Sequence, residues 1–312
     1  MSVTAPRSGR EMPRFAGPTT FLRLPTLEQL SDPDVVLLGA PFDGATTYRP
    51  GARLAPRAVR QASDQAHAFH AELEHDPFAT LSVVDGGDVN MPPHDIVAAM
   101  DALQSVTAEH LQAGRCVFTC GGDHSISLPM LRAMAAQHGP VGLIHVDAHY
   151  DTYPAAWGND LHHGTPFRHA LREGLIDPTR CLQLGLRGSL SSAQDLDFSR
   201  QAGFCVVTQA NWDDGDGKER LAGFMKSLRG PIYISVDVDG LDPAFAPGTG
   251  TPVPGGLSVR ELKSVLRQLR GQQIVGGDVA EISPPYDNAG ITALIGADLL
   301  HTYVTLHALG RR

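Results

Sequence analysis

Apolar residues are arranged along the chain in two alternating patterns. Short, continuous apolar runs are typical of buried strands, whereas apolar residues that recur every three or four positions are typical of helices packed on one face. The first pattern predicts eight strands, at residues 35–40, 81–85, 116–120, 141–146, 181–186, 205–208, 232–236 and 274–279. The second predicts helices at residues 95–112, 128–137, 221–228, 258–269 and 291–309.

The alternation of strands with helices indicates the fold class. Strands connected by helices run parallel and have helices on both faces of their sheet. We therefore predict an α/β protein with a mostly parallel eight-stranded sheet in a three-layer α/β/α arrangement. No repeat or linker divides the chain, so residues 1–312 are predicted to form a single domain, in which residues 1–33 form an irregular N-terminal arm.

Composition and charge narrow the class of partner. The chain has 312 residues, of which 42% are hydrophobic and 19% charged, and its net charge is −9. This charge disfavours nucleic acid or an anionic membrane as the main partner and favours a neutral or cationic small molecule. We see no secretory signal and no apolar stretch of membrane-spanning length, so we expect a cytoplasmic protein.

The four cysteines show no Cys-x-x-Cys spacing. Three of them lie in or beside apolar, strand-like runs, where a thiol behaves as a small apolar side chain. We therefore predict buried free thiols rather than disulfides or zinc ligands at Cys116, Cys120, Cys181 and Cys205.

Three side chains of the kind that bind metals follow the predicted strand at residues 141–146. They are Asp147, His149 and Asp151, and their spacing of two places them on one side of an extended chain. In an open parallel sheet, ligands bind beyond the carboxyl ends of the strands. Buried carboxylates repel one another unless a cation neutralises them. This strand end therefore predicts a metal site.

Two further strand ends extend the site, because Asp237 and Asp239 follow one predicted strand and His124 follows another. A single Asp-x-Asp or Asp-x-His is more typical of a turn or a cap, but its occurrence at three strand ends favours metal binding. Four carboxylates carry too much charge for one ion, which predicts two metals about 3.5 Å apart that share carboxylates and activate a water. Such ligands suit manganese, with nickel, cobalt or zinc as alternatives.

Three segments carry a resemblance to a known family. They are Gly-Gly-Asp-His-Ser at 121–125, Asp-Ala-His-Tyr-Asp-Thr at 147–152, and the Ser-Val-Asp-Val-Asp-Gly-Leu-Asp-Pro stretch that begins at Ser235. They resemble the signature motifs of the ureohydrolase (arginase/agmatinase) family, and the likeness covers nearly the whole chain. The resemblance implies a parallel eight-stranded α/β/α sheet, two Mn²⁺ ions per subunit, and homo-oligomers that are trimers or hexamers.

The resemblance also implies a role for each site residue. One metal would be held by His124, Asp147, Asp151 and Asp237, and the other by Asp147, His149, Asp237 and Asp239. His163 matches the histidine that shuttles a proton to the leaving amine, with His162 as the weaker candidate. Glu281 matches the acid that pairs with the guanidinium, and Thr251 would line the same pocket. Asp151 is counted with His163 and Glu281 among the catalytic residues.

The implied reaction is attack of hydroxide on a guanidinium carbon, followed by collapse of the tetrahedral intermediate to urea and an amine. The segment Gly-Leu-Arg-Gly-Ser-Leu at 185–190 lacks the acidic continuation of arginases. Residues 11–25 and 47–53 resemble agmatinases and, more closely, guanidinobutyrase, guanidinopropionase and proclavaminate amidinohydrolase. We therefore favour a guanidino acid such as 4-guanidinobutanoate as substrate, followed by agmatine.

Two aromatic residues keep alternatives open. Tyr150, where the family usually has a small or hydroxyl residue, and Trp157 are predicted to line the mouth of the pocket. A nickel-dependent hydrolase of free or substituted guanidine is therefore an alternative. Further alternatives are a single-metal amide hydrolase of deacetylase type, a non-catalytic paralogous subunit, and a binding module. The two-metal ligand set disfavours the first, and the presence of His163 and Glu281 disfavours the second.

Overall fold

The fold is built on one eight-stranded sheet, in a computed structural model that describes residue 6 and residues 8–311. The order across the sheet is β2-β1-β3-β8-β7-β4-β5-β6, and each neighbouring pair is parallel. The strands are β1 (Val35–Gly39), β2 (Val83–Asp88), β3 (Cys116–Cys120), β4 (Val141–Val146), β5 (Ile176–Leu186), β6 (Cys205–Thr208), β7 (Pro231–Asp237) and β8 (Gln273–Ala280). The predicted fold class is confirmed.

All eight predicted strands occur, and the main difference is the start of β5. This strand begins at Ile176 rather than at residue 181. The prediction missed this start, because Ile176 is followed by Asp-Pro-Thr-Arg at residues 177–180, which interrupts the apolar pattern. The pairing register between β4 and β5 shifts at this point, between Val141 and Leu143. The polar start therefore lies at an irregularity of the sheet.

Nine α-helices lie within residues 8–311. They are α1 (Ala55–Ala62), α2 (Ile96–Gln112), α3 (Ser127–His138), α4 (Pro166–Arg172), α5 (Ala193–Ala202), α6 (Gln209–Asp213), α7 (Asp216–Ser227), α8 (Val259–Arg267) and α9 (Ile291–Gly310). The five predicted helices correspond to α2, α3, α7, α8 and α9. The other four have 5 to 10 residues, which is too short for apolar recurrence to identify a helix, and α5 also buries only Ser199.

Apolar side chains fill both faces of the sheet. Along β4, Ile144 and Val146 pack into the core on one face, while Leu143 packs into the core on the other. Every residue of β4 is buried. Burial on both faces is why the strands read as continuous apolar runs rather than as alternating patterns.

Helix α9 corrects one expectation from the sequence. The stretch Asn288–Gly310 has 23 residues, and its most apolar window of 18 residues has a mean hydropathy of 1.3, so by length and composition it could cross a membrane. The expectation that no such stretch exists is therefore wrong. In the fold, 72% of its most apolar window is buried, and Leu300 and Tyr303 are fully enclosed. Its all-round apolar character is that of a helix packed within the core.

The N-terminal arm is irregular where it is described. Between residues 8 and 33 it contains a short 3₁₀ helix, Phe21–Arg23, whose Phe21 and Leu22 side chains pack into the core. Residues 1–5 and 7 of the arm lie outside the described residues. The end of the arm is thus packed into the core, whereas Phe15 earlier in the arm is 92% exposed. The single-domain assignment of residues 1–312 stays a prediction.

The predicted state of the cysteines is confirmed. All four are free thiols, with Cys116, Cys120 and Cys181 buried and Cys205 half-buried. Burial raises the pKa of the Cys120 thiol far above its ordinary value. Such thiols are unreactive apolar side chains rather than ligands or nucleophiles.

The strand order brings four carboxyl ends together in the middle of the sheet. The chain passes from β3 to β4 across β8 and β7, so these four strands surround the point where the order reverses. In register, Val146 lies beside Val236, and Asp237 lies beside Ala280. The segments that follow these strands therefore leave the sheet side by side, at the position where open α/β sheets bind ligands.

Candidate metal centre and substrate cavity

His124 lies among three carboxylates. It follows β3 in a short 3₁₀ helix, and its side chain is fully buried. Its Nδ1 atom is 2.9 Å from Asp151 Oδ2, 3.1 Å from Asp147 Oδ2 and 3.3 Å from Asp237 Oδ2. The structure thus brings together residues from the ends of β3, β4 and β7, as the sequence predicts.

The other ring nitrogen of His124 is fixed by a chain of hydrogen bonds. Ser235 Oγ donates to Asp278 Oδ1 at 2.8 Å, so it accepts the Nε2 proton of His124 at 2.8 Å. Asp278 also accepts hydroxyl protons from Ser127 and Tyr233. In neutral His124, the Nδ1 lone pair therefore faces three carboxylates, and Nδ1 has no hydrogen-bond partner among the described residues. Lone pairs that converge in this way need a cation between them.

A second cluster surrounds His149. Its Nδ1 atom is 3.1 Å from Asp239 Oδ2 and 3.3 Å from Asp147 Oδ1. Asp147 therefore presents one oxygen to each imidazole, with Oδ2 towards His124 and Oδ1 towards His149. This is the geometry of a carboxylate that bridges two sites, and the bridging role of Asp147 stays a prediction.

The charges in this part of the structure favour bound cations. We use the name ligand cluster for the six predicted metal ligands, His124, Asp147, His149, Asp151, Asp237 and Asp239. Burial raises the pKa of Asp237 well above its ordinary value, and the neighbouring Asp239 and Asp147 carboxylates raise it further. Burial lowers the pKa of His124, but the nearby carboxylates of Asp147, Asp151 and Asp237 overcome burial and raise this pKa well above the ordinary value. Both shifts reflect an excess of negative charge. Four carboxylates and two imidazoles at these distances fit two divalent cations with a preference for oxygen ligands.

His145 belongs to this centre and was not predicted. Its Nε2 atom is 2.8 Å from Asp147 Oδ2, and its Nδ1 atom faces the Gln183 amide nitrogen at 3.1 Å. Because Nδ1 accepts from Gln183, Nε2 carries the proton and donates to Asp147, which orients a predicted ligand. The signal was present in the sequence, since residue 145 precedes Asp147 by the same spacing of two.

Two residues hold Asp239 from opposite sides. The Arg187 guanidinium donates to the Asp239 carbonyl at 2.7 Å and to the Gly240 carbonyl at 3.1 Å, which secures the turn after β7. Thr251 Oγ1 donates to Asp239 Oδ2 at 3.0 Å. Thr251 therefore contacts a predicted metal ligand as well as the cavity described below.

Glu281 has one bound oxygen and one free oxygen. Its Oε1 atom accepts from the His124 backbone N–H at 2.9 Å and faces His163 Nδ1 at 2.8 Å. Its Oε2 atom is buried and has no hydrogen-bond partner among the described residues. The backbone of Glu281 has φ 62°, in the left-handed region that non-glycine residues rarely adopt, as have Asp151 at 49° and Trp157 at 50°. A buried free carboxylate oxygen beside the predicted metal ligands is suited to a cationic ligand.

His163 and His162 have different partners. Burial lowers the pKa of His163, but the Glu281 carboxylate overcomes this effect and raises it to about 9. His162 Nε2 donates to the Pro154 carbonyl at 3.2 Å, and burial lowers the pKa of His162. His163 is therefore the histidine that contacts Glu281, which supports its choice over His162.

A cavity of about 460 Å³ lies over the predicted metal ligands. Its inner wall includes His149, Asp151, Asp237, His163 and Thr251, and its outer wall includes Tyr153, Trp157, Ser191, Ser192, Gln194 and Asp195. Trp157 is 83% exposed, whereas Asp237 is 3% exposed, so the cavity leads from solvent to the ligand cluster. Trp157 thus lies at the mouth, where the sequence predicted it.

Tyr150 does not lie where it was predicted. Its side chain is 2% exposed and packs in the apolar core on one face of the sheet, and it does not line the cavity. The reason is the alternation of an extended segment, which directs Tyr150 away from the side shared by His149 and Asp151. Tyr153, which was not predicted, lines the cavity together with Trp157.

Comparison with known proteins gives consistent matches. The arginase family model matches residues 33–305. The chain is 45% identical to a proclavaminate amidinohydrolase of Streptomyces clavuligerus, over 95% of this chain and 96% of that protein. It is 41% identical to a guanidinopropionase of Pseudomonas aeruginosa (97% and 96% covered) and 40% identical to a guanidinobutyrase of the same organism (95% and 94% covered).

Solved structures agree with these matches. A proclavaminate amidinohydrolase structure from Streptomyces clavuligerus superposes with a TM-score of 0.91 at 42% identity, covering 96% of this chain and 100% of that one. A formiminoglutamase from Trypanosoma cruzi, described with Mn²⁺, superposes with a TM-score of 0.80 at 26% identity, covering 93% and 98%.

Proposed function

The chain belongs to the arginase family, and from this premise we propose that it is a binuclear metal-dependent amidinohydrolase that cleaves a guanidino C–N bond to give urea and an amine. The observation that carries the proposal is the free, buried Oε2 atom of Glu281 beside the ligand cluster. A carboxylate is the natural partner of a planar guanidinium, because it accepts parallel N–H bonds. In this position, Glu281 would hold the guanidinium next to the ligands.

The ligand set supports two divalent cations. His124, Asp147, Asp151 and Asp237 would hold one, and Asp147, His149, Asp237 and Asp239 would hold the other. When bound, such a pair supplies a water of lowered pKa, so that hydroxide is available near neutral pH. Manganese is our choice, because oxygen ligands predominate and a formiminoglutamase relative is described with Mn²⁺. Nickel stays the alternative.

The chain's own residues would orient the substrate and move the proton. Glu281 Oε2 would accept from the guanidinium, while Oε1 keeps its bond to His163. His163 lies beside Glu281, so its imidazolium form would be a proton donor for the departing amine nitrogen. The buried walls of the ligand cluster limit access of bulk water, which strengthens these charged contacts.

We propose a guanidino acid, such as 4-guanidinobutanoate, as the substrate. The names of the guanidinopropionase and guanidinobutyrase relatives support this class. The outer wall of the cavity offers the hydroxyl groups of Ser191 and Ser192 and the amide of Gln194, which can donate to a carboxylate. Among the described residues that line this cavity there is no Lys or Arg, so hydrogen bonds rather than an ion pair would hold the distal group.

Agmatine is the second candidate, and Asp195 favours it. This carboxylate lies in the outer wall of the cavity, where it caps α5 by accepting from the Ser192 backbone N–H at 3.0 Å. A distal ammonium group would be attracted to Asp195, whereas a distal carboxylate would be repelled by it.

The test is urea release by the purified protein, loaded separately with manganese and with nickel. The substrates are 4-guanidinobutanoate, 3-guanidinopropanoate, agmatine, arginine and free guanidine. We expect one guanidino acid to be preferred by at least about tenfold in kcat/KM, and Glu281→Gln to abolish its hydrolysis. A preference for agmatine that Asp195→Asn removes would establish the second candidate. Urea from free guanidine alone would favour the nickel alternative, and no urea from any substrate would overturn the proposal.

We further propose that the protein is a cytoplasmic homo-oligomer, either a trimer or a hexamer. Oligomers of this kind are what the family resemblance implies. Light scattering coupled to size-exclusion chromatography would measure the mass, and a monomeric mass at micromolar concentration would contradict the proposal.

A further inference from the structure

Thr47 contacts the nitrogen of His163 that faces away from Glu281. It lies in the segment that follows β1, 116 positions from His163. Its hydroxyl oxygen is 2.7 Å from His163 Nε2, and its backbone N–H is directed at the same nitrogen at 3.2 Å. No other described residue makes a hydrogen bond to Nε2. Both ring nitrogens of His163 are thus engaged, Nδ1 by Glu281 and Nε2 by Thr47.

The segment that carries Thr47 is firmly held. The Ala45 N–H donates to Asp123 Oδ2 at 2.9 Å, and the Ala45 carbonyl accepts the His163 backbone N–H at 3.2 Å. Gly122 permits this approach, because a Cβ atom there would lie 2.7 Å from the Ala40 carbonyl oxygen and 2.8 Å from that of Phe42. The position of Thr47 against His163 is therefore set by the fold around both residues.

The two groups of Thr47 act differently on the protons of His163. A backbone N–H only donates, so it favours a lone pair on Nε2 and keeps the proton of neutral His163 on Nδ1, towards Glu281. A hydroxyl both donates and accepts, and it rotates to suit its partner. The Thr47 hydroxyl is therefore the group in contact with Nε2 that can accept a hydrogen bond from this atom when His163 carries two protons.

We propose that Thr47 is a positioning residue for His163, whose hydroxyl accepts the Nε2–H bond of the imidazolium form and so holds the ring in the orientation from which it protonates the departing amine. This inference rests on the proposed function. When His163 gives up its Nε2 proton, the remaining proton stays on Nδ1, bonded to Glu281, and the Thr47 backbone N–H donates to the free lone pair on Nε2. The attacking water, whose oxygen enters urea, loses two protons: one replaces the proton that His163 transferred, and the other leaves with the amine as its ammonium form, so the balance of atoms closes over a turnover.

The charged groups around His163 come from several elements. Glu281 follows β8, Asp123 precedes the helix that carries His124, and Asp151 follows β4; each of these carboxylates raises the pKa of His163. His162 lies next to it, with ring centroids 6.4 Å apart. None of these groups contacts Nε2, so removal of the Thr47 hydroxyl should act on His163 separately from them.

The test compares Thr47→Val, which removes the hydroxyl at similar size, with Thr47→Ser, which retains it. Both are assayed as metal-loaded protein for kcat, KM and their pH dependence. We expect Thr47→Val to lower kcat by about tenfold to a hundredfold, the effect of losing a hydrogen bond to a charged group, with KM within about twofold. The alkaline limb of the pH–rate profile of Thr47→Val should move to lower pH by about one unit. Thr47→Ser should keep kcat and the alkaline limb close to those of the wild type. Equal losses in the two variants, or an unshifted pH profile, would overturn the proposal.

A second readout does not depend on turnover. The histidine rings are labelled selectively with ¹⁵N, and the His163 signal is identified by its absence from His163→Asn. Zinc-loaded protein is used, because manganese would broaden the signals, and the titration of His163 Nε2 is followed. We expect the His163 midpoint to fall in Thr47→Val and to return in Thr47→Ser. An unchanged midpoint would refute the role of Thr47 even in a protein that releases urea. A shifted midpoint without urea from any guanidine would leave the Thr47 contact established and the proposed function refuted.

Discussion

The ligand cluster and the loop at the cavity mouth are opposite in character. His124 and Asp147 are completely buried and engaged on several sides, whereas Trp157 at the mouth is 83% exposed. The ligands lie at strand ends, where neighbouring backbones fix them, while the mouth is formed by segments after β4 and β5 that lie outside the sheet. We infer that the interior determines the reaction and that the mouth determines which guanidine is admitted.

The largest effect is expected from Asp237→Asn, because it removes one of the carboxylates that hold both predicted metal sites. Activity should fall by about a thousandfold or more, as for loss of a main electrostatic group in an active site. Metal per subunit, measured by mass spectrometry of the washed protein, should fall as well. Asp195→Asn is the matched control, since it makes the same chemical change in the outer wall and should leave the metal content unaltered. Near-normal metal and activity in Asp237→Asn would refute the two-metal assignment.

His163→Asn should come next, with kcat about a hundredfold lower, the usual contribution of a general acid. The pKa of His163 is raised to about 9, and its proton-carrying form is the donor. The wild-type rate should therefore fall as the pH rises through about 9, and this alkaline limb should be absent from the variant. His162→Asn serves as the control. If the alkaline limb persists unchanged in His163→Asn, a group other than His163 produces it.

Trp157→Ala should have a smaller and more selective effect. The side chain is mostly in solvent, so the free energy of unfolding should change by less than about 0.5 kcal/mol. The ratio of kcat/KM between 4-guanidinobutanoate and 3-guanidinopropanoate should change by about tenfold, because these substrates differ only in length. If the ratio is unchanged, Trp157 does not act on specificity.

The smallest effect is expected from Tyr150→Phe. Tyr150 packs in the core away from the cavity, so every kcat/KM should stay within about twofold of the wild type, as for changes away from a site. The variants of Tyr150 and Trp157 together test, within one loop, whether substrate preference depends on the cavity mouth and not on the buried interior. A changed substrate profile in Tyr150→Phe would restore its predicted role in the pocket.

The fold and the ligand cluster were readable from the sequence for related physical reasons. Strands buried on both faces appear as continuous apolar runs, and ligands at their ends appear as acids and histidines spaced by two. Tyr150 was placed wrongly, because the alternation that aligns His149 with Asp151 also turns the residue between them away. Start points such as that of β5 were missed, because polar residues can occupy a strand where its register shifts.

The contacts that support the site were not readable from the sequence. Ser235 and Asp278 orient His124, and Thr47 reaches His163 from 116 positions away. Each is a side-chain contact between segments that only the folded chain brings together, and no local pattern marks it. His145 is the exception, since its spacing from Asp147 was visible.

The left-handed backbone of Asp151, Trp157 and Glu281 also bears on how the protein could evolve. Such conformations cost about 1–3 kcal/mol each at non-glycine residues, so the surrounding structure holds them against their own preference. Glycine at position 281 would relieve that cost while removing the carboxylate. A population selected for heat resistance alone should therefore drift towards durable but inactive descendants, and continued selection for turnover is what would retain the strained residues.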